Sequence, residues 1–119
     1  MEPKLRSFII SLLRSGTRRW PPANAAFNKA KRTFYIDSKH GKKLKRVEFQ
    51  CAICKKWFKR DHVQRDHILP IIPVTGFDSW ENVFLRLFCQ IEGFQILCKP
   101  DHKLKTLSEN LERKKYRNI

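Results

Sequence analysis

The chain of 119 residues has the length of about one domain, and its 41% hydrophobic residues favour a folded protein over a disordered one. Its formal net charge of +15 is extreme for this length, and such a field attracts polyanions, most commonly nucleic acid. An anionic membrane surface is the alternative, but no long basic amphipathic helix stands out. No run of about 20 apolar residues is present either, which argues against a membrane span.

The apolar run from Phe8 to Leu13 is too short for a secretory signal and is followed by Arg14, Arg18 and Arg19. We therefore expect a cytoplasmic protein, in a reducing compartment. Paired cysteines in such a compartment indicate metal ligands before disulfides. Most of the net positive charge lies in the first 50 residues, because the acidic residues gather in the half that carries the Cys and His clusters.

Two helices are predicted at the start of the chain. Apolar residues recur at helical spacing over residues 5–13, and Gly16 is a plausible stop. After a basic link, the Pro-Pro pair at residues 21–22 opens a second helix that extends to Ala30. We expect their apolar faces to pack in the core and their basic faces to be a candidate DNA surface. The charged segment 37–46 around Gly41 is either a phosphate-contacting loop or a solvated linker.

The second half of the chain alternates between short strands and helices. Residues 57–58 and 63–68 predict two strands that close a hairpin, and residues 94–97 predict a further strand. Helical spacing covers residues 80–88 and resumes from Asp101 onwards. One face of the last helix carries Leu104, Leu107 and Leu111. The basic end from residue 113 to residue 119 is expected to fray. These elements predict the α+β fold class.

Two four-residue motifs, Cys51-x-x-Cys54 and Cys98-x-x-Asp101, have the spacing that is typical of metal ligands. Two short loops that each offer two ligands are how a chain builds a closed tetrahedral zinc site. A carboxylate can complete three thiolates, so Asp101 is a candidate fourth ligand, although it could instead cap the following helix. Cys89 could also substitute as a ligand, or it could be a buried thiol at the end of an apolar helix face.

A second pattern combines Asp66-His67 before Pro70 with His102. A regular strand sends adjacent side chains to opposite faces, but distortion just before Pro70 could turn both towards one site. A carboxylate suits a hard divalent cation, and a histidine can remove a proton from water. His102 could complete the metal ligands. Each histidine alone could equally be a hydrogen-bonded structural residue. His62, in another Asp-His pair, is interpreted as a surface residue.

In combination these motifs resemble the HNH endonucleases of the ββα-metal class, most closely the small phage-encoded HNH proteins. The resembling segments are residues 51–54, 63–70, 94–98 and 102–106, together with 8–14 and 18–22, which resemble the leader helices of that phage group. The resemblance implies a ββα-metal core with a zinc knuckle, preceded by two N-terminal helices. It divides the chain into a basic helical extension and loop, residues 1–46, and a nuclease core, residues 47–119.

The resemblance also implies a role for each matching residue. His67 would be the general base, and Asp66 and His102 would hold one catalytic divalent ion, Mg²⁺ or Mn²⁺. A structural Zn²⁺ would be held by Cys51, Cys54, Cys98 and Asp101. The expected activity is hydrolysis of DNA phosphodiester bonds by a phage or mobile-element endonuclease in the host cytoplasm. It would act as a monomer or weak homodimer, with phage packaging proteins as further candidate partners. Candidate DNA-contacting residues are Arg18, Arg19, Arg65 and Lys105.

Two positions depart from the family pattern. Gly93 stands where the middle Asn of HNH usually lies, so another donor is expected to steady the segment that bears His67. Asp101 stands in place of a fourth cysteine, which concerns the zinc site rather than the cutting centre. The alternative is therefore a non-catalytic zinc-knuckle protein that binds DNA. A basic RNA-binding or ribosomal protein would explain the charge but not the two patterns.

Overall fold

A computed structural model describes residues 1–117. The helices and strands in chain order are α1 (Pro3–Gly16), α2 (Pro21–Ala30), β1 (Lys31–Asp37), β2 (Lys43–Gln50), β3 (Trp57–Phe58), β4 (Val63–His67), α3 (Trp80–Leu87), β5 (Phe94–Cys98) and α4 (Lys99–Arg117). The fold is α+β, as the sequence predicts. Within the described range, no helix is both long and apolar enough to cross a membrane.

Several predicted elements are confirmed. α1 and its end at Gly16, α2 opened by its Pro-Pro pair, α3 and β5 all lie where the sequence placed them. α4 begins at Lys99, two residues earlier than predicted, and remains helical to Arg117 rather than fraying from residue 113. The predicted fraying of residues 118–119 lies outside the described residues.

The strands form two separate antiparallel sheets. One has the order β1-β2-β3, and the other pairs β4 with β5, from Val63 opposite Cys98 to His67 opposite Phe94. The prediction that residues 57–58 and 63–68 close a hairpin with each other is therefore wrong. A 3₁₀ turn over residues 60–62 redirects the chain, so that β4 leaves the first sheet and pairs with the largely buried β5.

The segment before residue 50 also differs from the sequence prediction. Residues 31–37 and 43–50 form a long hairpin, so only residues 38–42 are a turn. Gly41 has a φ of +76°, and the Ser38 hydroxyl accepts hydrogen bonds from the backbone N–H groups of His40 and Lys42. Aromatic and β-branched residues over 33–36 favour a strand, and the charged side chains project into solvent from it.

The helices bury only part of their predicted apolar faces. Ile10 of α1 packs with Ile71, Val83 and Leu87, whereas other apolar residues of α1 remain exposed, namely Leu5, Phe8 and Leu12. Two alanines of α2 lie in a second core with residues of both sheets, namely Ala23 and Ala26 with Phe49, Val63, Phe94 and Ile96. The leucine face of α4 is at least half exposed at all three positions, so it forms no part of the core.

β5 runs directly into α4, and α4 packs on both β4 and β5. The first turns of α4 therefore lie beside the end of β5 and across β4. This arrangement brings the second half of the CxxC…CxxD pattern and the predicted His102 close to the strand that carries Asp66 and His67.

The core around α3 supports a first prediction. Leu87 is fully buried, whereas Leu85 on the same helix is 64% exposed. Leu87→Ala should lower the free energy of unfolding by about 2–5 kcal/mol, because it removes buried contacts and leaves a cavity. Leu85→Ala, the matched control, should change it by less than about 0.5 kcal/mol. Urea unfolding measures both, and equal effects would contradict the packing of α3 described above.

Candidate functional site

Four side chains form a cluster suited to a metal ion. The ligand atoms of Cys51, Cys54, Cys98 and Asp101 all lie within 4.8 Å of one another, and no other group of three or more such residues does so within residues 1–117. Tetrahedral zinc with Zn–S bonds of about 2.3 Å separates its sulfurs by about 3.8 Å. Small inward movements would therefore complete the coordination sphere, and the cluster could bind a metal such as zinc.

The backbone brings the two halves of this cluster together. Cys51 follows β2 directly, and a tight turn links its carbonyl to the N–H of Lys55 and its N–H to the carbonyl of Lys56, both at 3.0 Å. Lys55 has a φ of +64°, which closes this turn. The N–H of Ala52 donates to the Ile96 carbonyl of β5 at 2.8 Å. This bond holds the turn against the strand that ends in Cys98.

The carboxylate of Asp101 points to the thiols. It accepts a hydrogen bond from the Cys51 thiol at 3.2 Å, so Asp101 belongs with the three cysteines as the sequence predicts. Hydrogen bonds with Cys51 and Cys98 lower the pKa of Asp101. Metal binding requires ionised ligands, so this carboxylate is ready to coordinate near neutral pH.

The two buried thiols differ in acidity. Burial opposes ionisation of Cys51, but backbone N–H groups of Cys98, Cys54 and Ile53 outweigh it and lower the pKa of the Cys51 thiol. Burial raises the pKa of the Cys98 thiol to about 12. A metal ion must therefore displace a tightly held proton from Cys98, and binding becomes weaker as the pH falls.

Cys89 lies outside the cluster, as a half-buried thiol beneath Gly93. A side chain at position 93 would overlap the Cys89 side chain, whose Cβ would lie only 2.9 Å from the added Cβ. The Cys89 carbonyl accepts a hydrogen bond from the Trp20 indole at 2.7 Å, which fixes this segment. The space that an asparagine would need at position 93 is therefore filled by Cys89.

A second site is a cavity of about 310 Å³ at the end of β4. Asp66, His67 and His102, the three predicted catalytic residues, all line it. Charged side chains from α1, β4 and α4 surround them, namely Arg14, Arg65, Lys105, Glu109 and Arg113. The cavity thus combines a carboxylate and two imidazoles with a predominantly cationic wall.

Asp66 is held by three neighbours. Gln95, its partner across the sheet, donates to it at 2.8 Å, the Lys105 ammonium lies 3.1 Å away, and Nε2 of His102 lies 3.7 Å away. Lys105 also pairs with Glu109 at 3.0 Å and donates to the His67 carbonyl. Burial would lower the pKa of Lys105, but its bonds to Glu109 and Asp66 raise it. Lys105, predicted to contact DNA, is paired with these two carboxylates within the site.

The ring of His67 is oriented by the backbone. Its Nε2 lies 2.9 Å from the Leu87 carbonyl, which can only accept a hydrogen bond. Nε2 therefore carries the proton and Nδ1 carries the lone pair. Phe94 packs against the ring with a centroid separation of 4.8 Å. In place of the missing Asn, the sequence predicts another hydrogen-bond donor near His67. The group that contacts the ring of His67 in the structure is an acceptor, the Leu87 carbonyl.

The acidity of His67 follows from its surroundings. Burial lowers its pKa, and the nearby Arg14 and Arg65 lower it further, although Leu87 and Asp66 act in the opposite direction. A neutral imidazole is therefore favoured near pH 7.

The other predicted residues are more widely placed. Arg65 lines the cavity, whereas Arg18 lies in a neighbouring groove. Arg19 is exposed next to Arg18, in a 3₁₀ turn over residues 17–19. His62 is exposed next to Asp61, as expected for a surface residue. Sequence reasoning missed three charged residues that line the cavity, Arg14, Glu109 and Arg113, and it missed Gln95, which donates to Asp66. The spacing of Lys105 and Glu109, four residues apart on a helix, was the available signal for one of them.

Comparison of the chain with protein-family models, curated proteins and solved structures found no match. What the site can do therefore rests on its own geometry and chemistry.

The cluster generates a prediction about metal content. We expect one zinc ion per chain, and we expect Asp101→Cys to bind it more tightly, because borderline-soft zinc favours sulfur over oxygen. The variant should also melt at a higher temperature, since metal binding is coupled to folding. Elemental analysis and thermal melting with and without a chelator measure both effects.

Cys89→Ser is the matched control, because Cys89 is a thiol outside the cluster, and its zinc content should equal that of the natural protein. The four-ligand site would be contradicted if the natural protein carries no zinc and a chelator does not change its melting temperature.

Proposed function

We propose that the protein is a metal-dependent endonuclease of the HNH type that hydrolyses DNA phosphodiester bonds. The observation that carries the proposal is the oriented His67, whose Nδ1 is left as a base beside Asp66 and His102 in one cationic cavity. A binding protein would need no such base.

The local architecture supports the same proposal. β4 and β5 are antiparallel, α4 follows β5 without a loop, and the helix packs across both strands. A ββα-metal core has this order and uses the strand and helix to carry its catalytic residues. The cysteine cluster adjoins this unit at the end of β5, which is where the resemblance expects a zinc knuckle.

Asp66 and His102 are the residues that would hold the catalytic cation. Their Oδ1 and Nε2 atoms lie 3.7 Å apart, which two ligands of one ion at about 2.1 Å each can span. Such an ion would stabilise the charge that develops on the phosphate and on the leaving 3′ oxygen. The Lys105 ammonium now neutralises Asp66, so it must move when a cation binds.

The remaining steps fall to the protein's own side chains. Nδ1 of His67 takes a proton from a water molecule, whose oxygen bonds to phosphorus while the bond to the 3′ oxygen breaks. General-base assistance of this kind contributes roughly 10²- to 10⁴-fold. Arg14 and Arg65 lie on the cavity wall and can hold the non-bridging oxygens. The products would be a 5′-phosphate and a 3′-hydroxyl.

One observation favours the alternative of a DNA-binding protein that does not cut. Lys105 already supplies a positive charge at Asp66, where the cation would bind. If this ion pair is permanent, the site needs no metal. A plasmid-nicking assay with and without Mg²⁺ or Mn²⁺ separates the two functions, because a binding protein leaves the plasmid supercoiled under all conditions.

The assignment of His67 is tested by substitution. His67→Ala should reduce metal-dependent nicking by at least about 100-fold and leave DNA affinity nearly unchanged, since only the proton transfer is lost. His62→Ala is the matched control, because His62 is also next to an aspartate but is exposed. It should nick at the natural rate. Unchanged nicking by a purified, folded His67→Ala protein would remove His67 from the mechanism.

The pH dependence of nicking provides a second test. The base is active when neutral, so kcat/KM, which reports the pKa of the free protein, should rise as the pH rises through the pKa of His67 and then level off. Because burial and the two arginines lower that pKa, the midpoint should lie below the ordinary value of about 6.5. Arg14→Gln removes one positive neighbour and should move the midpoint upwards. A midpoint above about 6.5 in the natural protein would contradict this account.

A further inference from the structure

A groove separate from the catalytic cavity lies between α2, the 3₁₀ turn over residues 60–62 and β4. Its volume is about 820 Å³, and it is lined mainly by arginine and amide side chains. The residues that matter for its chemistry are Arg18, Asn24, Asn28, Arg60, Gln64 and Arg65.

Three guanidinium groups meet in this groove without a carboxylate. Within residues 1–117, neither Arg18, Arg60 nor Arg65 has an acidic group within 4.0 Å, although Arg32 and Arg86 elsewhere are each paired with one. Burial is the largest cause that lowers the pKa of Arg65, and the positive charges of Arg60 and Arg18 lower it further. Arg65 is therefore repelled by both of its neighbours. A bound anion would relieve this repulsion.

The arginine side chains of the groove are held in place by specific contacts. The Phe27 ring forms part of its wall, with the Arg60 guanidinium 3.9 Å and the Arg65 guanidinium 5.7 Å from the ring centroid. Arg60 is further anchored by a hydrogen bond to the Val63 carbonyl at 3.3 Å. These contacts fix the direction of the two guanidinium groups. The amides of Asn24, Asn28 and Gln64 add N–H donors to the same wall.

The groove and the catalytic cavity share one residue. Arg65 lines both, with Gln64 before it facing the groove and Asp66 after it facing the cavity. A nucleic-acid strand whose phosphate lies beside His67 therefore has its next phosphates within reach of the groove. We infer that Arg18, Arg60 and Arg65 form a second anion site, which binds a backbone phosphate flanking the one that is cleaved. This inference rests on the proposed function.

The first experiment measures DNA binding on a 20-base-pair duplex with no Mg²⁺ or Mn²⁺ added and no chelator present, so that a zinc ion in the cysteine cluster is retained. Arg60→Gln should weaken binding about tenfold and reduce the slope of log K against log salt by about 1. Arg46→Gln is the matched control, because Arg46 is exposed on β2 away from the groove and the change removes the same charge. Arg60→Lys retains the charge and should retain the salt slope, which separates loss of charge from loss of folding. Equal losses in Arg60→Gln and Arg46→Gln would overturn the inference.

The second experiment locates the phosphate. Duplexes with one neutral methylphosphonate at each backbone position in turn are bound to the natural protein and to Arg60→Gln. At the phosphate that the groove binds, the neutral linkage should weaken binding by the natural protein but have little further effect on the variant. Additive effects at every position would overturn the inference. Both experiments measure binding alone, so a protein that fails to nick would refute the proposed function without deciding the groove.

Discussion

The positions of the side chains in the cysteine cluster and in the cavity of His67 both depend on the junction at which β5 passes directly into α4. The last residue of the strand, Cys98, and the third residue of the helix, Asp101, face the turn that carries Cys51. The next residue, His102, and then Lys105 turn towards β4 and line the cavity. Because successive helical residues are about 100° apart, one helix serves both sites. Whatever fixes the start of α4, including a bound metal, also fixes the geometry around Asp66.

The balance of charge in the cavity depends on how few acids it contains. Asp66 and Glu109 share one ammonium, that of Lys105, so this half-buried trio keeps one net negative charge. The arginines on the wall find no carboxylate in the cavity beyond these two. Removing one partner from such a network leaves a buried charge without compensation. The cavity therefore places two carboxylates beside arginines that face no other acid, and on the proposed function these two groups would receive a cation and a phosphate, respectively.

Sequence patterns predicted the parts of this arrangement that local spacing determines. The CxxC…CxxD pattern located the cluster, and helical periodicity located α1, α2 and α3. The β1–β2 hairpin was missed because most residues of β1 and of the first half of β2 are exposed, so their charged residues resemble a loop. The partners of Asp66 depend on cross-strand register and helix phase, which no local pattern contains.

The way in which His67 is held connects the N-terminal helices to the chemistry. The carbonyl of Leu87 is free to bind the imidazole because the last carbonyls of a helix lack partners within it, and α3 ends at this residue. Its position depends on the packing of α3 against Ile10 of α1. A side-chain amide in this role could rotate, whereas a helix-end carbonyl is fixed by the core. On the proposed function, Gly93 can leave room for Cys89 without loss of the orientation of His67, because the backbone of α3 would then take the part that the resemblance gives to an asparagine.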